Sequence, residues 1–75
     1  MHVERLRELL HSFPFKPLLI ELVNDQSVEV PHPDFARILD DNRTCVVDRE
    51  GGIAVFIDIP LIQAVFQYPL AKGDA

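Results

Sequence analysis

Two prolines, Pro14 and Pro17, divide this chain into two kinds of sequence. Before them the apolar residues recur every three or four positions, at Val3, Leu6, Leu9, Leu10 and Phe13, with Glu4, Arg5, Arg7, Glu8 and His11 between them. That spacing predicts one amphipathic helix over residues 2 to 13. After the prolines the period falls to two, the alternation of strands whose two faces meet different surroundings. Proline lacks an amide hydrogen and disfavours helical geometry in the residue before it, so "FPFKP" ends the helix and becomes a linker carrying Phe13 and Phe15.

The second part reads as short strands joined by tight turns. "LLIELVN" predicts a strand over 18 to 24 with Leu18, Ile20 and Leu22 on one face, and "SVEV" one over 27 to 31 with Val28 and Val30 inward. The turn residues of "NDQS" between them make the pair a hairpin. "DDNR" and "REGG" bracket a strand over 44 to 48, and Pro60 separates strands over 53 to 59 and 62 to 67. Residues 69 to 75 carry little core material and are expected to fray. Without helices between strands there are no parallel crossovers. The expected fold is one domain, residues 1 to 75, mainly β with one N-terminal α-helix: a small, strongly bent antiparallel five-stranded barrel or rolled sheet. A flat sheet with the helix laid on one face is the alternative.

A chain of 75 residues has a thin core, burying only about 60% of the surface its unfolded form exposes. Cys45 is the only cysteine, so no disulfide within the chain adds stability, and oligomerisation is the expected source. "IAVFIDI" and "LLIELV" are apolar on both faces, which favours homo-oligomer contacts through sheet edges and apolar strand faces. Twelve acids against seven bases give a net charge of −5, with no run of Lys or Arg, which argues against duplex DNA as a partner. "MHVERLRELL" lacks the apolar centre of a signal peptide, and no segment approaches the roughly 20 apolar residues of a membrane span. A soluble, cytoplasmic protein is expected, and the lone thiol agrees with that compartment.

Over residues 3 to 67 the order helix, three bent strands, a fourth strand, a very short proline-containing connection and a fifth strand resembles the Sm-like layout, an SH3-like barrel. The likeness lies most clearly in "IAVFIDIPLIQAVFQ". It implies binding of single-stranded RNA as one function, but the second-motif turn here reads "DIPLI", so the RNA-binding residues of that family have no counterparts. Nearly the whole chain is also similar to a group of short bacterial proteins that share a Pro-Phe-Lys/Arg-Pro segment and a V-P-H-P-[DE]-F element. That group brings no assigned activity with it.

Candidate chemistry is sparse. In "VPHPDF", His32 and Asp34 are spaced to reach one cation or each other if the segment is extended, but a metal site needs three or four ligands. His2, His11 and Cys45 stand in no recognised ligand spacing with them. The plainer reading is a rigid corner: Pro31 and Pro33 fix the bend and Phe35 returns to the core. Cys45 sits among β-branched residues with no neighbour to lower its pKa, so it reads as structural. Asp40, Asp41, Asp48 and Glu50 lie in or beside turns, and Asp58 is expected to bond the backbone of the "PLI" turn. Of the aromatic residues most are expected in the core, with Phe15 and Tyr68 at a surface. Phe15, Lys16, His32, Arg37, Arg43 and Tyr68 are therefore the candidate contacts for a protein partner or RNA. There is no glycine-rich phosphate loop, no supported Ser-His-Asp order and no redox motif, so neither an enzyme nor a cofactor is expected. The leading expectation is a self-associating protein-interaction module, with a single-stranded RNA binder second and a metal-binding protein using His32 and Asp34 third.

Overall fold

The computed structural model describes residues 1–68, so the expected frayed tail, 69 to 75, lies outside the described residues. The order is α1 (Val3–Leu10), β1 (Leu18–Leu22), β2 (Ser27–Val30), β3 (Ala36–Ile38), β4 (Thr44–Arg49), β5 (Ile53–Asp58) and β6 (Ile62–Gln67). The strands form two three-stranded antiparallel sheets, β2-β1-β6 and β3-β4-β5. The fold is thus mainly β with one short N-terminal helix, and among the described residues the strands do not close into one barrel.

The helix is shorter than the pattern predicts. His2 caps it by accepting a hydrogen bond from the Glu4 amide at Nδ1, 3.3 Å, and Arg7 and Glu4 pair along its surface at 3.5 Å. It stops at Leu10, where the Ser12 hydroxyl donates to the Leu9 carbonyl at 2.9 Å, ahead of the proline segment. Phe13 is therefore no longer on the helical face, and it is 97% exposed rather than in the core.

Within β1 and β2 alternation behaves as expected: Leu18, Ile20, Val28 and Val30 are buried, and Leu18 opposes Val30 while Ile20 opposes Val28. A bulge between Glu21 and Leu22 shifts the register of β1 against β6, and β1 stops at Leu22 and not at 24 because the turn begins there, with Asp25 N–H donating to the Leu22 carbonyl at 3.0 Å. The hairpin turn closes through Leu22 N–H to the Gln26 carbonyl, 2.8 Å, with Asp25 at φ 68°. Leu6 and Leu10 meet these strands and Cys45, Val47, Ile57, Ile59 and Ile62 in one core, with no buried polar or charged side chain among the described residues.

Three further aromatic residues expected inside are outside, as Phe13 is. Phe35 does not return to the core; it is 43% exposed, because residues Pro33–Phe35 form a 3₁₀ turn that leaves its ring beside His32. Phe56 and Phe66 occupy the outer faces of β5 and β6, opposite Val46 and Leu19 respectively, and are 68% and 48% exposed. The segment after Phe35 is a further strand, β3, that the pattern did not predict; three residues are too few to show a period.

The two sheets are tied by backbone bonds at the β5–β6 connection. Ile59 N–H donates to the Arg43 carbonyl at 2.7 Å, and Val23 N–H donates to the Leu61 carbonyl at 3.0 Å. Between these anchors Ile59–Leu61 makes a 3₁₀ turn with Pro60 in its first positions, where a missing amide hydrogen does no harm.

Candidate functional site

The corner built by "VPHPDF" separates two open grooves. His32 has extended backbone, φ −149° and ψ 145°, and its Nδ1 accepts a hydrogen bond from the Asp34 amide at 3.3 Å. The imidazole thereby caps the 3₁₀ turn, and the Asp34 carboxylate lies 3.6 Å from the same nitrogen. The pair does come together, but through the turn and not through an extended strand. Among the described residues no third His, Cys, Asp or Glu completes a metal-holding group there.

On one side of the corner, Pro31 and Phe35 face Asp48, Arg49, Glu50 and Ile53 from the end of β4 and the start of β5, with Glu29 of β2 at the rim. This groove measures about 670 Å³ and takes its lining from both sheets, Glu29 from β2-β1-β6 and Asp48, Arg49 and Ile53 from β3-β4-β5. On the other side Pro33 and Asp34 meet Arg7, Leu10 and His11 of α1 and Arg37 of β3 around a smaller groove of about 390 Å³. The first is rimmed mainly by acids and the second mainly by bases.

The six candidate contacts do not converge. Phe15 is half-buried against the core and Lys16 is exposed beside it on the linker. Tyr68 follows β6, 43% exposed, and its amide donates to the Pro17 carbonyl at 2.9 Å, which brings its backbone to the same end as that linker. His32 and Arg37 flank the corner, where Arg37 lies 3.7 Å from the Asp48 carboxylate. Arg43 is elsewhere on the sheet β3-β4-β5, held by Asp58 at 2.9 Å and 3.4 Å.

That last contact corrects the expectation for Asp58. Its carboxylate makes no capping bond to the following turn. Antiparallel pairing sets Thr44 opposite Asp58, so Arg43 lies next to the carboxylate, and an ionic hydrogen bond outcompetes a neutral backbone donor. The Asp58 carboxylate in turn raises the Arg43 pKa above its ordinary value. One turn earlier Asp41 accepts from the Thr44 hydroxyl at 2.7 Å and from the Arg43 and Thr44 amides at 2.9 Å each. These bonds, the hydroxyl first, hold its carboxyl below the usual range. They organise the start of β4, a backbone role of the kind aspartate takes in turns.

Cys45 is fully buried, and burial pushes its thiol up to about 11, so the protonated, unreactive form prevails at neutral pH.

Two residues outside the candidate set stand out on the surface of β3-β4-β5. Arg37, Val46 and Phe56 form one cross-strand row on its outer face. Val46 is 1% exposed although it lies outside the main core, while Phe56 next to it is largely exposed. Ile53, at the groove, is 60% exposed. The signal for both was present in "IAVFIDI", which carries apolar residues on both faces, Ile53, Val55 and Ile57 on one and Ala54 and Phe56 on the other. Compared with known proteins, the chain matches no family model, no curated protein and no solved structure.

Proposed function

We propose that this chain is a non-catalytic protein-interaction module that acts as a homo-oligomer, a dimer or a small ring, in the cytoplasm. The observation that carries the reading is Phe56, exposed at the centre of β5, an edge strand of its sheet. Edge strands of monomers are kept short or guarded by Lys, Pro or inward charge. β2 has four residues, includes Glu29 and stops against Pro31, and β3 has three residues with Arg37 among them. β5 and β6 have six residues each and neither contains Lys, Arg or Pro; the one charge on them, Asp58, stands at the last position of β5 and is held by Arg43. Pairing β5 with β5 of a second copy gives a two-fold dimer, whereas pairing β5 with β6 of the next copy repeats head to tail and forms a ring where the rotation closes. Either arrangement brings an added strand alongside Phe56.

An Sm-like, SH3-like architecture belongs to the same proposal. β2 and β3 are consecutive and interrupted only by residues 31–35. Counted as one bent strand, they leave five strands, with the short "IPL" turn before the last and that last strand returning to β1. Support for a non-catalytic role comes from the inert Cys45 thiol and from the engagement of His32 Nδ1 in its turn. Arg37 and Arg43 each face a carboxylate, so no observation favours the RNA reading over this one.

Light scattering and sedimentation at tens of micromolar, roughly the range of weak interfaces, test the proposal. The native chain is expected to sediment as an oligomer and Phe56→Arg as a monomer with an unchanged circular dichroism spectrum. Phe13→Arg, at a still more exposed aromatic residue far from β5 in sequence, is expected to keep the oligomer. A monomeric native chain, or an unchanged mass for Phe56→Arg, overturns it.

A further inference from the structure

The groove between the corner and the β4–β5 turn takes only Ile53 from β5, on the face of the strand opposite to Phe56, and none of its other lining residues lies in β5 or β6. Its apolar part is Pro31, Phe35 and Ile53, and two of these, Phe35 and Ile53, expose 43% and 60% of their surface to water. A protein this small gains stability by covering such residues, yet the 3₁₀ turn at Pro33–Phe35 and the glycine turn before Ile53 hold them apart across open space. Around them stand Glu29, Asp48 and Glu50 with a single base, Arg49, at the lining. Asp48 already faces Arg37 at 3.7 Å, whereas Glu29 and Glu50 have no ion-pair partner within 4.0 Å among the described residues.

We propose that this groove binds an extended basic segment of a partner protein, which seats one bulky apolar side chain between Pro31, Phe35 and Ile53 and sets Lys or Arg against Glu29 and Glu50. Proline and phenylalanine provide a fixed surface whose ordering has already been met in folding, so little further entropy is lost on binding. Fixed acids at the rim attract a basic segment and repel an acidic one, which gives the groove its discrimination. The same acids disfavour a nucleic acid here, because phosphates would meet carboxylates.

The test uses the full chain and a fluorescein-labelled hexapeptide with two arginines on each side of a Leu-Phe pair, read by fluorescence anisotropy at low salt. Saturable binding is expected for it, and none for the counterpart with glutamates in place of the arginines. Ile53→Ser is expected to weaken binding about tenfold, the size of one lost apolar anchor. Glu29→Lys with Glu50→Lys is expected to abolish it and to admit the acidic counterpart. Glu8→Lys with Asp25→Lys changes net charge equally at positions away from the groove and is expected to leave affinity unchanged; a matching loss there marks attraction to net charge alone and overturns the proposal. So does equal binding of both peptides, or wild-type affinity in Ile53→Ser. Phe56→Arg is expected to retain peptide binding, so failure of the oligomer reading and failure of this one are separately visible.

Discussion

The Arg43 guanidinium spans both carboxylate oxygens of Asp58, at 2.9 Å from Nε and 3.4 Å from Nη2, and so clamps the entry of β4 to the exit of β5. The Ile59 amide, one residue on, donates to the Arg43 carbonyl at 2.7 Å, so side chain and main chain of one residue hold the same junction. The Arg43 side chain is 65% exposed and that of Asp58 is 36% exposed, which places the pair in a strongly screened setting. A double-mutant cycle with Arg43→Ala and Asp58→Ala, followed by urea unfolding, is expected to give a small coupling that shrinks as salt is added. A coupling that salt leaves unchanged would mean that the junction is far less hydrated than its exposure indicates.

Phe35 offers a sharper test of the corner. A fully buried phenylalanine costs roughly 3–5 kcal/mol when cut to alanine. At 43% exposure, with one face against His32 at a centroid distance of 6.1 Å, Phe35→Ala is expected to cost only about 1–2 kcal/mol. His32→Ala removes the side-chain acceptor of the Asp34 amide and is expected to cost about 1 kcal/mol, as a lost cap does. Equilibrium unfolding of both variants checks the order; a larger loss for His32→Ala than for Phe35→Ala would contradict it.

The glycine turn between β4 and β5 isolates a backbone effect. Gly51 and Gly52 have φ of 81° and 77°, and a Cβ built on either meets nothing within 4 Å. Space is therefore irrelevant and only the left-handed conformation resists a side chain. Gly52→Ala is expected to cost about 1 kcal/mol, and Gly52→Asn less, because asparagine enters that region more readily. Thermal unfolding of the two variants gives the comparison, and equal losses would mean that the turn changes its conformation on substitution.

Where the chain repeats a period, its sequence could be read. Leu6 with Leu10, Leu18 with Ile20, and Val28 with Val30 are buried as their spacing requires, since a helix or strand with one wet face leaves little choice. Phe13, Phe35, Phe56 and Phe66 depart from the expected core because hydrophobicity states that a side chain prefers cover, not that cover is present. Phe13 was lost when the helix ended early, and Phe56 lies on the outer face of the edge strand β5, where it stays 68% exposed beside the covered Val46. The Arg43–Asp58 clamp joins residues 15 apart whose neighbourhood follows from strand register, and register is not written in either residue. The groove was hidden for the same reason: "VPHPDF" was visible as a corner, but its opposing wall at Glu50 and Ile53 comes from another hairpin.

Cys45 ties the core to alkaline pH. Its side chain is 0% exposed, and burial raises the thiol from 9.0 to about 11. Below pH 9 the thiol is protonated in both folded and unfolded chains and adds no pH dependence. Between 9.0 and about 11 the unfolded chain releases a proton that the folded chain retains, so stability falls as pH rises across that window and the decline levels off above it. At about 1.4 kcal/mol for each pH unit, the full loss approaches about 3 kcal/mol. Tyrosine and lysine also titrate there, so the informative quantity is the difference between wild type and Cys45→Ala in urea midpoint from pH 8 to 11. The wild type is expected to lose its advantage over the variant through that range. At pH 8 a thiol reagent is expected to modify Cys45 only as fast as the chain unfolds; rapid modification of the native chain, or a flat difference curve, would show that the thiol reaches solvent without unfolding.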